Sequence, residues 1–232
     1  MDRILEVPFG DRWVEFATRI NPGFDYLITD KIVIREIFVE NVYRMDSSRL
    51  SDTGIVFDIG ANIGAFSIYC ALLGAKKVYA FEPDTHNFEI LKYNIEQNKM
   101  GGIIIPIKLG IFKTAGRVKL FSGQGASFLE DQKWLNPKVK KAIETGVPEE
   151  QIETITLASA FANNDVVNCD VLKVDVEGSE YAIFEQAEPD VLAKARYITV
   201  EFHTSKPEAF GSITSKLSKT HKIEILKNLI TK

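Results

Sequence analysis

An α/β fold built on a mainly parallel sheet is what this sequence predicts, on three observations. Apolar, strand-like runs alternate with amphipathic stretches along most of the chain. A glycine-bearing segment, Asp58-Ile-Gly60-Ala-Asn62-Ile-Gly64, joins one such run directly to a helix-like stretch. No internal repeat with a period of about 20–50 residues is visible, which removes solenoids and propellers.

Residues 1–50 stand apart as a cap: a hairpin turning at Gly10-Asp11, then a helix from about Lys31 to Tyr43 with Ile34, Ile37, Phe38 and Val42 on one face. The main domain is then 51–232. Gly54–Ile59 reads as a buried strand and Ala61–Leu73 as the helix after it, stopped by Gly74. Val78–Phe81 is the next strand. Pro83 falls where a first helical turn tolerates proline, and Phe88, Leu91 and Ile95 mark the buried stripe of a helix that Gly101-Gly102 ends. Ile103–Ile107 is a strand near a sheet edge, because Pro106 cannot donate to a central ladder. Residues 122–151 lack strand periodicity yet carry Phe128 and Trp134; a loop of that length in a compact domain predicts a lid or a mobile segment, with an ordinary exposed loop as the alternative. A helix-like stretch around Leu157–Ala162 precedes the strands Val171–Val176 and Tyr197–Phe202. A helix over Pro207–Lys222 and a last strand over Ile223–Ile230 complete the reading.

The 232 residues are 45% hydrophobic and 26% charged, with a net charge of −4, and mean hydropathy is near zero. A chain of this size hides roughly 70–75% of its unfolded surface, enough for one core without a metal or disulfide. Cys70 and Cys169 lie far apart in apolar surroundings and form neither a disulfide framework nor a metal clip, which suits a reducing, cytoplasmic setting. The longest membrane-like stretch, Gly64 to Ala75, falls well short of the roughly 20 residues a spanning helix needs. Asp2, Glu6, Asp11 and Glu15 interrupt the region where a secretory signal is apolar. A mildly acidic chain lacks the phosphate-neutralising surface of a dedicated duplex binder, so no nucleic-acid partner is expected. Residues 194–232 hold eight Lys and Arg against three Glu, read as solvated surface.

Glycines at a strand-to-helix turn let the backbone come within contact distance of a ligand, and the helix N-terminus presents unpaired N–H groups. A nucleotide-type ligand is implied, with a tight structural turn as the alternative. Asn62 stands where the dinucleotide fingerprint has its middle glycine, and Gly64 comes one residue early, which weakens a pyrophosphate reading. Glu82 ends the next strand, placed to accept both hydroxyls of a ribose; otherwise its charge favours the N-terminus of the following helix. Period two puts Lys173, Asp175 and Glu177 on one side of their strand and Thr199, Glu201 and His203 on one side of the next. Charges in a sheet covered on both faces must be paired or lie at its open end. Lys173 is expected to pair with Glu201 or Glu180. Asp175 and His203 end their strands, where a catalytic or acceptor-binding group is useful; His86 and His221 fall on surface segments.

Four stretches in register, Val56–Gly64, Phe81-Glu-Pro83, Leu172–Glu180 and Glu201-Phe-His203, resemble the FkbM family of S-adenosylmethionine-dependent methyltransferases, from about Thr29 to His203. The resemblance implies a class I methyltransferase (Rossmann-like) fold: a seven-stranded, mostly parallel sheet in the order 3-2-1-4-5-7-6, with helices on both faces. It implies S-adenosyl-L-methionine (SAM) as cofactor. By that analogy Asp58, Gly60 and Gly64, with Asn62 in the same loop, meet the methionine end, Glu82 the ribose, and Leu109 and Gly110 the adenine. Asp175 suits both the cofactor's ammonium and the acceptor, while Glu177, Glu201 and Tyr43 of the cap are expected on the acceptor side.

The sulfonium methyl is already activated, so the protein mainly has to align nucleophile, methyl and leaving sulfur at a roughly 3–3.5 Å approach. A base, Asp175 or His203, supplies roughly 10²–10⁴-fold by taking the proton of an acceptor hydroxyl. Asp175, Glu201 and His203 are also acceptable ligands for a divalent cation, but nothing in their spacing requires one and no metal is expected. The expected reaction is direct O-methylation of a hydroxyl on a sugar, glycolipid or small metabolite. An N-methyltransferase shares the cofactor half, although Asp175-Val-Glu-Gly lacks the Asn/Asp-Pro-Pro-aromatic turn common in adenine N-methyltransferases. A catalytically silent SAM-binding module and an NAD-linked oxidoreductase are the remaining alternatives.

Overall fold

The structure is a computed structural model that describes residues 4–19, 26–123, 126–129, 144, 146, 149–203 and 207–226. It opens with an antiparallel hairpin, β1 (Ile4–Phe9) and β2 (Arg12–Ala17), turning at Gly10-Asp11 as the sequence predicts. α1 (Tyr26–Phe38) follows and ends at Phe38 rather than Tyr43, so Val42 and Tyr43 lie in the connection beyond it. Ile34 and Ile37 are buried.

Strand and helix then alternate: β3 (Ile55–Ile59), α2 (Ala65–Leu72), β4 (Lys77–Phe81), α3 (Thr85–Gln97) and β5 (Ile104–Ile107). α2 starts later than Ala61, because residues 60–64 form the turn out of β3 and Gly64 takes the N-cap position at φ 92. Asp84 caps α3 by accepting from the Asn87 N–H at 3.0 Å, so Pro83 precedes the helix instead of opening it.

β6 (Gly110–Ile111), β7 (Gly116–Gly123), β8 (Ala126–Leu129) and β9 (Glu149–Ile155) form a second, four-stranded sheet in the order β6-β9-β7-β8. The sequence reading missed it. β9 buries only Ile152 and Thr154, and its glutamates face the cations of β7, as in Arg117–Glu153 and Lys119–Glu149, so little apolar signal marks it. Of the lid expected over 122–151, residues 122–123, 126–129 and 149–151 are strand, while Trp134 lies outside the described residues.

α4 (Leu157–Asn163), β10 (Cys169–Val174), α5 (Glu180–Gln186), α6 (Pro189–Leu192), β11 (Ala195–Val200) and α7 (Pro207–Leu217) complete the described chain. The parallel sheet has five strands in the order β11-β10-β3-β4-β5. Among the described residues this reproduces the 3-2-1-4-5 portion of the expected order, and the other two of the seven expected strands are not seen there. Residues 223–226 pair with no strand among the described residues, and 227–230 lie outside them; an apolar pattern alone does not make a strand without a neighbour's hydrogen bonds. Pro106 sits in β5, the edge strand, opposite Ala80.

Alternate residues of the sheet feed two cores. Val56 and Val171 join Phe16, Ile34, Phe66 and Leu91 on the face covered by the hairpin, α1, α2 and α3. Phe57 and Leu172 join Phe161, Phe184 and Leu192 on the other. Each such fully buried side chain contributes about 1.5–3 kcal/mol. The strands' C-terminal ends carry the charged residues singled out above. No helix among the described residues is long and apolar enough to cross a membrane.

Candidate active site

β3, β4 and β10 are parallel neighbours, so their C-terminal ends open into one crevice. The Gly60 and Ala61 N–H groups donate to Phe81 O at 3.0 and 2.9 Å, which ties the glycine loop to the end of β4. Gly60 lies at φ 79, and a Cβ there would stand 1.8 Å from Asp175 O, so only glycine lets the chain after β10 pack on this loop. At Gly64 a Cβ would meet Leu91 Cδ1 at 2.6 Å.

The crevice is lined by Gly60, Asn62, Glu82, Leu109 and Gly110, with Asp175 and Glu177 from the segment after β10. Asn87 also reaches it, as do Leu120 of β7 and Ile152 of β9, which the sequence reading did not assign to a site. Glu82 is 5% exposed. Its two carboxylate oxygens accept from the Asn62 N–H at 2.8 Å and the Asp84 N–H at 2.9 Å. Burial, and then the Asp84 charge, push its pKa up to about 7 against those bonds and one from the Asn87 side chain. Asn62 Oδ1 is buried without a hydrogen-bond partner. The crevice thus presents an acceptor wanting a donor beside a carboxylate with lone pairs to spare, which fits an amine- and ribose-bearing ligand such as SAM.

Asp58 and Gly64 lie outside this lining. Asp58 is fully buried; Oδ2 accepts from Ser67 Oγ at 2.6 Å, and Oδ1 is 3.2 Å from Lys173 Nζ, its cross-strand neighbour. Lys173 also donates to Gly60 O at 2.7 Å and lies 3.3 Å from Asp175 Oδ2. The expected partners Glu201 and Glu180 are replaced by Asp58 and Asp175, because the register of β10 on β3 sets Lys173 directly opposite Asp58. Burial lowers the Lys173 pKa, but the two carboxylates outweigh it and raise it above the ordinary lysine value.

A second cluster gathers around Asp175. Tyr43 Oη lies 2.9 Å from Asp175 Oδ2 and 3.1 Å from Glu201 Oε2, bringing the cap, β10 and β11 together. Burial first, and then these two carboxylates, hold the phenol far above its ordinary pKa. His203 Nδ1 donates to Glu180 Oε1 at 3.0 Å, and its Nε2 is 3.4 Å from Glu177 and 3.7 Å from Glu201. Burial alone lowers the His203 pKa, yet the Glu180 bond and the surrounding carboxylates raise it to about 10. Glu180 itself is buried and also accepts from the Val176 and Gly178 N–H groups, which fixes the segment after β10. Glu177 is pushed up to about 7, mainly by burial. Asp175, Glu177 and His203 bring ligand atoms within 4.8 Å of one another. A cation there needs the imidazole deprotonated, against the carboxylates that hold it charged.

The sequence model of the Methyltransferase FkbM domain matches residues 58–224. The chain belongs to the FkbM methyltransferase family. Among curated relatives it is 26% identical over 164 residues to hexuronic acid methyltransferase AglP of Haloferax volcanii, covering 71% of this chain and 62% of that protein. It is 25% identical over 196 residues to 31-O-demethyl-FK506 methyltransferase FkbM of Streptomyces tacrolimicus, covering 75% of this chain and 74% of that one. A shorter segment of 59 residues is 44% identical to tRNA (guanine(37)-N(1))-methyltransferase Trm5b of Methanocaldococcus jannaschii, 25% of this chain and 17% of the relative. The chain therefore spans under two thirds of the Haloferax protein's length.

The FkbM family match begins at Asp58 and leaves the hairpin, α1 and Tyr43 outside it, although these elements share a core with β3 and α2. Glu180 closes one of the motifs that carried the resemblance, so its place beside the site was open to discovery from sequence. Asn87 and Ser67 carried no such mark.

Proposed function

We propose that this FkbM-family chain binds SAM in the crevice above β3 and β4 and transfers its methyl group to a hydroxyl of a sugar, glycolipid or small metabolite. One observation carries the reading: Asp175 lines the crevice that holds Glu82 and also accepts from Tyr43, which with Glu201 lines a second cavity, so a ribose-type carboxylate and an acceptor-type cluster are joined through Asp175. The name of one relative specifies methylation at oxygen and that of another a hexuronic acid, which supports an oxygen acceptor on a sugar or small molecule. Family membership also weighs against an NAD-linked oxidoreductase.

SAM, when bound, supplies a methyl group activated by a sulfonium. Gly60 and Asn62 let the main chain approach its methionine portion, Asn62 Oδ1 accepts from it, and Glu82 accepts from the ribose hydroxyls. Leu109 and Gly110 border the adenine. Asp58, from beneath, holds Lys173 and through it Asp175 and the Gly60 carbonyl. Asp175 takes the acceptor's proton. Tyr43 and Glu201 orient the acceptor hydroxyl, and Glu177 lies beside them. His203, held as an imidazolium by Glu180, acts as the positive charge that keeps four neighbouring carboxylates compatible, and it does not serve as the base in that state.

Methyl-labelled SAM incubated with fractionated sugar, lipid and metabolite extracts tests the reading. Label is expected on an oxygen, and Asp175→Asn is expected to slow turnover by about 10²–10⁴-fold with a much smaller change in SAM affinity. Label on nitrogen, or in RNA or protein, overturns the acceptor class. Tight SAM binding with no labelled product overturns catalysis and favours a silent module.

A further inference from the structure

The main-chain N–H groups of Asn62 and Asp84 hold Glu82, and a third neighbour leads out of the crevice to the cap. It is the side-chain amide of Asn87 on α3, which lines the crevice with Glu82 and acts against its protonation. That amide is oriented from behind by Arg19, which follows β2 and is 3% exposed. The Arg19 N–H and Nε donate to Asp30 of α1 at 2.7 and 2.9 Å, and a second guanidinium nitrogen bonds the same carboxylate. The remaining guanidinium nitrogen donates to Asn87 Oδ1 at 3.1 Å.

A guanidinium has donors only and a carboxylate acceptors only. An asparagine between them has one satisfactory orientation: Oδ1 toward Arg19 and the NH₂ toward Glu82. The same helix face repeats the arrangement further along. Asn94 accepts from the Ala17 N–H at 2.7 Å and donates to Ile63 O, in the glycine loop, at 2.8 Å. Asn98 accepts from the Glu15 N–H and donates to Glu15 O. α3 thereby pairs with the β2 main chain much as another strand does, and the hairpin is coupled to the loop and to Glu82 at once.

We propose that Arg19 and Asn87 are positioning residues for the cofactor: the cap's guanidinium fixes the Asn87 amide so that it donates to Glu82 and keeps that carboxylate available to the ribose hydroxyls. This rests on the reading that the crevice takes SAM. Asp84 is the charged neighbour of Glu82 on its own turn, Asp175 and Glu177 line the same crevice, and Arg19 and Asp30 stand behind Asn87. Among these groups the amide is the side chain that opposes protonation of Glu82 directly. Without it, burial and Asp84 act with less resistance, and Glu82 takes up a proton at higher pH.

Calorimetric titration with S-adenosylhomocysteine across neutral pH tests the relay. Asn87→Leu retains the side-chain size but neither accepts from Arg19 nor donates to Glu82. Wild-type affinity is expected to fall as pH drops through about 7, following Glu82. In Asn87→Leu the midpoint moves to higher pH and binding at pH 7 weakens by about tenfold or more, the loss expected when a hydrogen bond to a charged group is removed. The double variant Arg19→Gln with Asp30→Asn, which removes both buried charges and frees the amide to turn, shifts the midpoint in the same direction by less, and it decides the matter should Asn87→Leu fail to fold. A lowered melting temperature with an unmoved midpoint is a purely structural role and overturns the proposal. Wild-type protein that does not bind the ligand removes the cofactor reading and the relay together; wild-type binding with unmoved midpoints removes the relay alone.

Discussion

On the side of the crevice proposed for the cofactor the groups in place are largely main-chain ones: the N–H groups of Asn62 and Asp84 on Glu82, and the Gly60 backbone packed against Asp175 O. On the side proposed for the acceptor nearly every contact is between charged or phenolic side chains from separate elements: Tyr43, Asp175, Glu177, Glu180, Glu201 and His203. The first half depends on backbone geometry and the second on charge balance. Lys173 joins them, touching Gly60 O on one side and Asp175 on the other.

The largest effect is expected where backbone geometry leaves no room. Gly60→Val puts a Cβ 1.8 Å from a carbonyl oxygen at a positive φ, so loss of SAM binding together with a destabilisation of about 3 kcal/mol or more is expected in calorimetry and chemical unfolding. A folded Gly60→Val protein with wild-type affinity breaks the claim that this half is set by the main chain. Next comes the joint between the halves. Lys173→Met leaves the fully buried Asp58 without its cation, which costs about 3–5 kcal/mol in urea unfolding. Adding Asp58→Asn should recover part of that loss, and no recovery shows that the lysine acts mainly by packing.

The smallest effect separates His203 from the glutamates by pH. Glu82 and Glu177 are raised in the folded chain to about 7, so what they contribute to stability is lost as pH rises from roughly 4.5 to 7. His203 is raised to about 10; its contribution is full below roughly 6.5 and is lost as pH rises through about 10. Once both glutamates have titrated, the remaining change at higher pH is therefore that of His203. The melting temperature of the ligand-free protein is expected to fall between pH 7 and 10, and to fall less in His203→Gln. Parallel curves for the two proteins remove the imidazolium from the account.

Sequence reading placed the Gly60 loop and Glu82 at the strand ends where the structure has them, and it named the charged residues of the second cluster. Gly60 and Glu82 were legible because strand ends and glycine turns are local patterns, and Pro106 marked its own edge strand. Asp175, His203, Glu201 and Tyr43 were named, but their contacts were not. The partner of Lys173 was misassigned because a pattern of period two shows which side of a strand a residue faces and is silent on the register with the next strand. β9 was lost because Glu149-Glu-Gln-Ile-Glu-Thr-Ile155 buries so few of its residues. Arg19, Asp30 and Asn87 carried no signal at all, being ordinary polar residues until the hairpin is laid along α3.

What the sequence determined by itself is the parallel α/β framework, the glycine loop after the first parallel strand and the acidic residue ending the next, together with the family those motifs belong to. These follow from periodicity and from the φ angles glycine permits, both properties of neighbouring residues. Tertiary structure decided that Lys173 serves Asp58, that four carboxylates hold His203 charged, and that the cap reaches Glu82 through an asparagine. Each is an interaction between groups brought together from distant parts of the chain, whose strength is set by burial and by strand register, and neither exists until the two cores have closed on the sheet.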